Sequence, residues 1–522
     1  MKKIFTLFFA ILCFTNASAV DFKVNGIFYS YDSEKKNAIV VAGDNPYSGN
    51  ITIPKSVTVQ GKTLPVTQIG EKAFSGCKQL LTINLPNSIT KINKRAFYEC
   101  TSLKNLTLPE GVTDIRDWAF FGCNSIGPSI TIPASVTYIG NATFAECGSL
   151  KEFVVDSKNK FFKTQDGILC FANSVVCYPK GKGGTSYQVP SNITSIGVYA
   201  FYGCNSITSV KFHENVSQIS SWAFQNCKGL KNLVLPDSVT YIGWFAFAGC
   251  SNIGPSVTIP AYLDMIGRGA FEDCGALKEF IVHSKNRWMY SDDGALVDKG
   301  YKRFLCYPKG KSGTSYRLPN GLETIFENAF SKCDGLTEIV IPNSYKKINE
   351  TVLTLMLPFF IYQFGDGLTE IVIPNSYKKI NESAFEGCDG LKSVTIGSGM
   401  KMIGERAFYR CYISTLKCLA TTPPSIQENA FNDYGAQVYV PKGSKDAYTS
   451  DTYWKRFFEI NELPEIKGDV NGDGEVNASD ITMLINVILG TEQPDNKNAC
   501  DINGDSIVNT SDITTLINIL LK

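Results

Sequence analysis

Apolar and polar positions along most of the chain repeat every 23 residues, or every 24 where a Gly-Pro pair such as Gly127-Pro128 or Gly254-Pro255 is present. Thr90–Cys100, Thr113–Cys123, Ser217–Cys227 and Thr240–Cys250 are copies of one phrase. Each unit has an apolar segment, often a Pro, then an Ile, a Phe five residues on, and a Cys three residues after that. Ile69, Ile92, Ile115, Ile139, Ile196, Ile219, Ile242, Ile266, Ile325, Ile380, Ile403 and Ile426 all keep that spacing to a Phe. Stacked once per unit, Ile, Phe and Cys form three columns of a continuous core that no unit could bury alone. Segments such as Leu103–Leu108 (LKNLTL) alternate apolar and polar residues near their ends. They predict strands that pair in parallel, one side-chain set inward and one facing solvent. The expected fold is a repeat solenoid, an elongated right-handed stack of parallel β-strands with short helical or irregular returns.

A longer period overlies the first. Ser157–Cys204 and Ser284–Cys333 are near-copies that contain CYPKGKGGTSY and CYPKGKSGTSY. Each breaks the 23-residue rhythm with a polar turn, Ala172-Asn173-Ser174 in the first, and predicts a hairpin projecting from the stack near 157–190 and 284–319. These hairpins and the outward strand faces are the candidate partner surfaces. Asp334–Glu350 and Asp366–Glu382 are identical in sequence. Between them, Thr351–Gly365 fits the unit only as far as Val352, Leu353 and Met356. It reads either as a duplication with a locally frame-shifted stretch or as an exposed apolar bulge that binds something.

The recurring AFxxC and VTxIG phrases resemble the BspA-like leucine-rich repeats of bacterial surface proteins, over roughly Val20–Leu463. The resemblance implies an N-terminal cap at 20–70, a leucine-rich-repeat array at 71–435 and a C-terminal cap at 436–463. Caps are also a physical requirement, since an open solenoid end exposes core and strand edges.

The last residues differ in kind. Asp469–Asp480 reads DVNGDGEVNASD and Asp501–Asp512 reads DINGDSIVNTSD. Oxygen-bearing side chains fall at positions 1, 3, 5, 9 and 12 of each loop. A hard cation such as Ca²⁺ takes six to eight oxygens, and this spacing wraps one loop around one ion, two ions in all. The candidate ligands of the first loop are Asp469, Asn471, Asp473 and Asp480, with Glu475 through its carbonyl and Asn477 through water. Those of the second are Asp501, Asn503, Asp505 and Asp512, with Ile507 through its carbonyl and Asn509 through water. Each loop leads into an amphipathic helix. Ile481, Leu484, Ile485, Ile488 and Leu489 recur at helical spacing, as do Ile513, Leu516, Ile517, Leu520 and Leu521. The two helices should bury one another in a small all-α calcium-binding pair of loop-helix units. Asp rather than Glu closes each loop and no helix precedes the first, so residues 468–522 resemble a type I dockerin. That resemblance implies a cohesin-type partner, contacted through Ala478, Ser479, Thr510 and Ser511. Ser506 stands where the sharp turn prefers Gly, which predicts a weaker second site.

Composition changes this picture little. Lys plus Arg is 50 and Asp plus Glu is 49, a balance that gives no reason to expect nucleic acid or an anionic membrane as partner. Lys2 and Lys3, an apolar run from Ile4 to Phe14 and Ala17-Ser18-Ala19 read as an export signal over 1–19. Lipid attachment at Cys13 is the alternative; Leu12 before it is bulkier than such a signal usually allows. No later segment is long and apolar enough to predict a transmembrane helix. Eleven of the 17 cysteines hold the repeat slot, so they are expected to be buried thiols, not disulfides. Cys170 and Cys177 flank the Asn173-Ser174 turn and could lie opposite each other as an optional disulfide. His213 and His283 each replace the Pro after a strand and are far apart in the array, which argues against a His-based nucleophile or zinc site. Trp118, Trp222 and Trp244 could pack at repeat corners or stack on sugars. The chain is thus expected to be non-enzymatic and secreted, with surface attachment through a partner. It would act as an adhesion or adaptor protein, its solenoid binding a protein or glycan and its C-terminal module docking to a cohesin. A carbohydrate-processing component of an extracellular complex, or a calcium pair serving only as a stabilising tail, are the rival readings.

Overall fold

The computed structural model describes residues 21–326, 388–464, 478–490 and 497–520 in continuous runs, with 329–330, 333, 335–341, 347–348, 369–373, 375, 377–380, 384–386, 466–470 and 476 between them. The expected export segment at 1–19, the odd stretch at 351–365 and the loop residues Asn471, Asp473, Glu475 and Asn477 lie outside the described residues. The chain forms two compact units, one running to Ile207 and including Trp222–Cys227, the other comprising Thr208–Ser221 and Lys228 onward.

The first unit opens with an antiparallel meander of Asp21–Val24, Ile27–Asp32 and Asn37–Val41. Its last strand pairs in parallel with Lys62–Ile69. From there two-residue strands climb the Ile column: Ile69 lies beside Ile92, Ile92 beside Ile115, and Ile115 beside Ile139. The strands are this short because the third residue after each Ile turns left-handed, as Lys72, Arg95 and Trp118 do with φ of 56, 55 and 55°. The chain then bends back through AFxxC. These returns are turns, not helices, and hydrogen bonds between coils hold them too: Phe74 N–H donates to Ala96 O and Phe97 N–H to Ala119 O, both at 2.7 Å. The Phe rings stack inside the turns. Phe74–Phe97 and Phe97–Phe120 centroids are 4.9 and 5.0 Å apart, with rings within 4° of parallel. Such a pair contributes about 0.5–1.5 kcal/mol beyond its burial.

The outer strands depart from expectation in places. Ser129–Ile132 and Glu152–Val155 pair in parallel with alternate residues inward, as the pattern predicts. Leu103–Leu108, however, is not a strand. Its leucines are buried, but Asn105 has φ of 49°, which breaks the extended backbone.

The inserts also differ from expectation. Phe162–Gln165, Ile168–Phe171 and Ser174–Cys177 form an antiparallel meander with an Asp166-Gly167 turn. Its last strand does not project; it joins the parallel ladder, Val175 beside Ile196. Tyr178 takes the Phe position, its N–H on Ala200 O at 2.7 Å and its ring 4.9 Å from Phe201. Val175 and Tyr178 are buried, which is why the segment supplies a coil. The second copy behaves alike, with Phe304 beside Ile325 and Tyr307 N–H on Ala329 O. The register also overturns the Cys170–Cys177 pairing. A bulge between Leu169 and Cys170 sets Cys177 opposite Leu169 and Cys170 opposite Val175, and both thiols are free.

In the second unit Gln218–Ile219, Tyr241–Ile242 and Met265–Ile266 form an Ile ladder of the same kind. Glu370–Ile373, Ser393–Ile396, Thr415–Cys418, Gln437–Val440 and Glu459–Glu462 form one parallel sheet. Helix α1 (Lys445–Ser450) and a 3₁₀ turn at Trp454–Arg456 interrupt it before the last strand. They bury Tyr448, whose hydroxyl donates to Ala420 O at 2.6 Å, and Trp454, whose indole N–H donates to Pro424 O at 2.7 Å. Three helices end the chain: α2 (Ala478–Ile488), α3 (Lys497–Cys500) and α4 (Thr510–Leu520).

Candidate functional site

The three terminal helices have a core of their own. Val470, Leu484, Cys500, Ile502 and Leu516 are buried together, with Val476, Ile481, Ile488, Ile513 and Leu520 packed against them. Only part of the expected apolar helix faces is used. Leu484 and Leu516 are fully covered, while Ile485 and Ile517 are each 38% exposed and Leu489 is 69% exposed. Leu521 is outside the described residues.

The two loops close in the same way. Asp480 and Asp512 are fully buried, and each accepts the backbone N–H of the residue that follows the first Asp of its loop: Val470 to Asp480 at 2.8 Å, Ile502 to Asp512 at 2.7 Å. Asp512 also accepts from Asn503 at 3.1 Å and Asn509 at 2.9 Å. Burial pushes the Asp512 carboxyl up, but these N–H groups outweigh it and hold the group below its ordinary value. Asp501 lies at the loop start and accepts from the N–H groups of Gly504, Asp505 and Ser506 at 2.7–3.0 Å. Asn503 Oδ1 accepts from Asp505 N–H, and Asp505 Oδ1 from Ile507 N–H, both at 2.8 Å. Asn509 acts as the cap of α4, its Oδ1 accepting Ser511 N–H at 2.7 Å while its amide donates to Ile507 O. Ser506 is left-handed, with φ of 65°.

The second loop therefore offers oxygen donors only, from Asp501, Asn503, Asp505, Asp512 and the Ile507 carbonyl, which suits a hard cation and no soft one. Several of these oxygens make a single hydrogen bond and retain acceptor capacity. Among the described residues no three His, Cys, Asp or Glu side chains are gathered as around an ion. In the first loop Asp469 is buried, and the intervening donors are outside the described residues. Of the residues implied to meet a partner, Thr510 and Ser511 are exposed, and the Ser511 hydroxyl accepts from Asn503 at 2.6 Å. Ala478 and Ser479 open α2; their side chains are outside the description. Ile507 and Val508 just before Thr510, and Ile517 and Ile519 further along α4, are exposed apolar residues.

Elsewhere each of the aromatic candidates meets a neighbouring side chain, and Trp244 remains 50% exposed. Trp118 carries Lys94 and Arg95 over its ring at 5.1 and 5.0 Å, Trp222 stacks on Tyr199 at 5.1 Å, and Trp244 lies under Arg268 at 5.5 Å. Both histidines do turn work: His213 Nδ1 accepts Asn215 N–H and His283 Nδ1 accepts Lys285 N–H.

Residues 49–175, 177–292, 306–356 and 357–446 match the family described as "BspA type Leucine rich repeat region", in six copies, and so cover most of the sequence. The chain belongs to the BspA type leucine-rich-repeat family. Residues 467–521 match the "Dockerin type I domain" and make the C-terminal module a type I dockerin. A leucine rich cell surface protein of Faecalibacterium prausnitzii is similar in structure at 20% identity, covering 88% of this chain and 99% of its own, with a TM-score of 0.38. A leucine-rich repeat protein of Bacteroides ovatus is similar at 23% identity, covering 85% and 100%, with a TM-score of 0.36. The Treponema protein TpLRR is similar at 27% identity over 43% of this chain and 87% of its own, with a TM-score of 0.27. Comparison with curated proteins gave no match. Neither the BspA repeat nor the dockerin family is catalytic, and no helix among the described residues is long and apolar enough to cross a membrane.

Proposed function

We propose that this BspA-type protein is a secreted adaptor or adhesin whose dockerin docks to a cohesin-type domain in the presence of calcium, while its solenoid presents a ligand surface. The observation that carries the reading is the matched closure of the two loops by buried Asp480 and Asp512, inside the segment 467–521 that matches the dockerin family. A buried carboxylate at the end of each oxygen-lined loop suits a cation at that place. Asp501, Asn503, Asp505, Asp512 and the Ile507 carbonyl would hold one ion, with Asn509 through water. Asp469, Asn471, Asp473, Asp480 and the Glu475 carbonyl would hold the other, with Asn477 through water. The ion would offset the repulsion among the carboxylates of each loop and stabilise the module; it takes part in no reaction. Exposed Ile507, Val508 and Ile517, together with Thr510 and Ser511, and Ala478 and Ser479 of the other unit, are the proposed partner contacts.

Calorimetry of the full chain with calcium, followed by capture on an immobilised cohesin domain with and without chelator, tests the reading. Calcium uptake and chelator-sensitive capture are expected. Asp469→Ala with Asp480→Ala should abolish uptake at the first loop and leave the second. Calcium binding that survives loss of Asp469, Asp480, Asp501 and Asp512 together would overturn the assignment.

A further inference from the structure

The long period places one surface feature twice. Asn159 and Asn286, 127 residues apart, are buried amides with every bond used in the same way. Asn159 Nδ2 donates to Pro133 O at 2.8 Å and Val136 O at 3.0 Å, and its Oδ1 accepts from Phe161 N–H at 2.9 Å and Phe162 N–H at 2.8 Å. Asn286 Nδ2 donates to Pro260 O at 2.7 Å and Leu263 O at 3.0 Å, and its Oδ1 accepts from Trp288 N–H at 3.0 Å and Met289 N–H at 2.8 Å. The preceding turn is pinned as well, by Asp156 on Lys158 N–H in one copy and His283 on Lys285 N–H in the other. Each clamp fixes a loop that displays two cations and one aromatic ring: Lys158, Lys160 and Phe161, then Lys285, Arg287 and Trp288, all exposed.

These two rings differ from Trp118, Trp222 and Trp244, each of which carries a cation or a ring. Phe161 is 45% exposed and Trp288 39% exposed, and among the described residues neither has a ring or a cation stacked on it. Lys158, Lys160, Lys285 and Arg287 likewise make no ion pair among the described residues. An open aromatic face beside unpaired cations, held on a rigid loop, is prepared to meet a ligand that is both flat and anionic. Its recurrence with the same chemistry in each long repeat suits a polymer that itself repeats. A polysaccharide bearing uronate or sulfate supplies apolar sugar faces for the ring and regularly spaced charge for the Lys and Arg. A folded acidic protein would have no reason to offer the same epitope twice.

We propose that Lys158-Asn159-Lys160-Phe161 and Lys285-Asn286-Arg287-Trp288 are two copies of a binding site for acidic polysaccharide. This rests on the reading of the solenoid as a ligand-presenting surface and is independent of the dockerin. The test is affinity electrophoresis and calorimetry of the full chain with polygalacturonate and chondroitin sulfate, against uncharged xylan and poly-glutamate. Binding to at least one acidic glycan, weakened by salt and absent with xylan and poly-glutamate, is expected. Phe161→Ala with Trp288→Ala should weaken it at least tenfold, and so should Lys160→Glu with Arg287→Glu. Trp118→Ala, whose half-buried ring already carries Lys94 and Arg95, should change it less than twofold. Circular dichroism checks that these surface variants stay folded. Glycan binding unchanged in both double variants would overturn the site while leaving a ligand-presenting solenoid elsewhere. Binding to poly-glutamate instead would overturn the glycan assignment, as would failure of both acidic glycans to bind. Calcium-dependent cohesin capture, measured on the same samples, stands or falls separately.

Discussion

Cys123 reaches back 26 residues: its thiol donates to the Phe97 carbonyl one coil earlier at 3.0 Å. Cys100, Cys147, Cys227 and Cys411 make the same bond to Phe74, Phe120, Phe201 and Phe385. The repeat cysteine thus fills a small slot and also bonds a carbonyl inside it. Every cysteine among the described residues is free, so thiol titration of denatured, unreduced protein should find the repeat cysteines reactive. Burial pushes the Cys77 thiol up to about 11 and Cys306 up to about 12, from an ordinary 9.0. The unfolded chain therefore releases these protons first as pH rises. Their contribution to stability is intact below pH 9 and is lost between 9 and about 12, which urea midpoints at rising pH should show. A second residue-scale feature is the left-handed position before the repeat Cys in coils such as those of Cys100 and Cys123. Gly122 sits there with φ of 73°, but Glu99 holds φ of 55° with a full side chain. Glu99→Gly should therefore stabilise the protein by about 1 kcal/mol in urea unfolding.

At the scale of elements, the insert loop is held by one amide. Asn159→Ala removes both donors and both acceptors of a buried group. It should cost about 1–3 kcal/mol and leave Pro133 and Val136 carbonyls without that partner. Hydrogen exchange should accelerate at Phe161 and Phe162 while the Ile-column amides stay protected. The Ile, Phe and Cys columns were legible because a solenoid repeats one environment, and repetition writes that environment into the sequence. The return of the insert into the ladder was not legible. Polar residues at Ala172-Asn173-Ser174 mark a turn, but only pairing of Val175 with Ile196 decides whether the strand after it projects or stacks. Leu103–Leu108 failed for a related reason: its alternation reports which residues are buried, and the φ of Asn105 decides whether the backbone is extended.

For the whole molecule, the dockerin has its own core of Val470, Leu484, Cys500, Ile502 and Leu516. The solenoid is stabilised coil upon coil and needs no ion. Calorimetric melting should therefore resolve two transitions, with chelator lowering that of residues 467–521 alone. Acid should act on the same segment. The Asp512 carboxyl is held below its ordinary 3.8, so its contribution is intact above that pH and is lost as pH falls through the depressed native value. Protease accessibility of the C-terminal segment should rise as pH is lowered from 7 through the depressed native value.

The sequence by itself determined the period, the three core columns, the repeat-slot cysteines and the membership of the C-terminal segment in the dockerin family. Each of these follows from residue type at fixed spacing, and spacing along the chain is preserved on folding. Tertiary structure alone decided which turns are left-handed, that the inserts supply coils, that Cys170 and Cys177 stay apart, and which aromatic rings are covered. Arg95 lies over Trp118 from the preceding coil and nothing described lies over Trp288. Those outcomes depend on backbone register, between coils for the inserts and the covered rings and across the local hairpin for Cys170 and Cys177, and not on residue pattern alone.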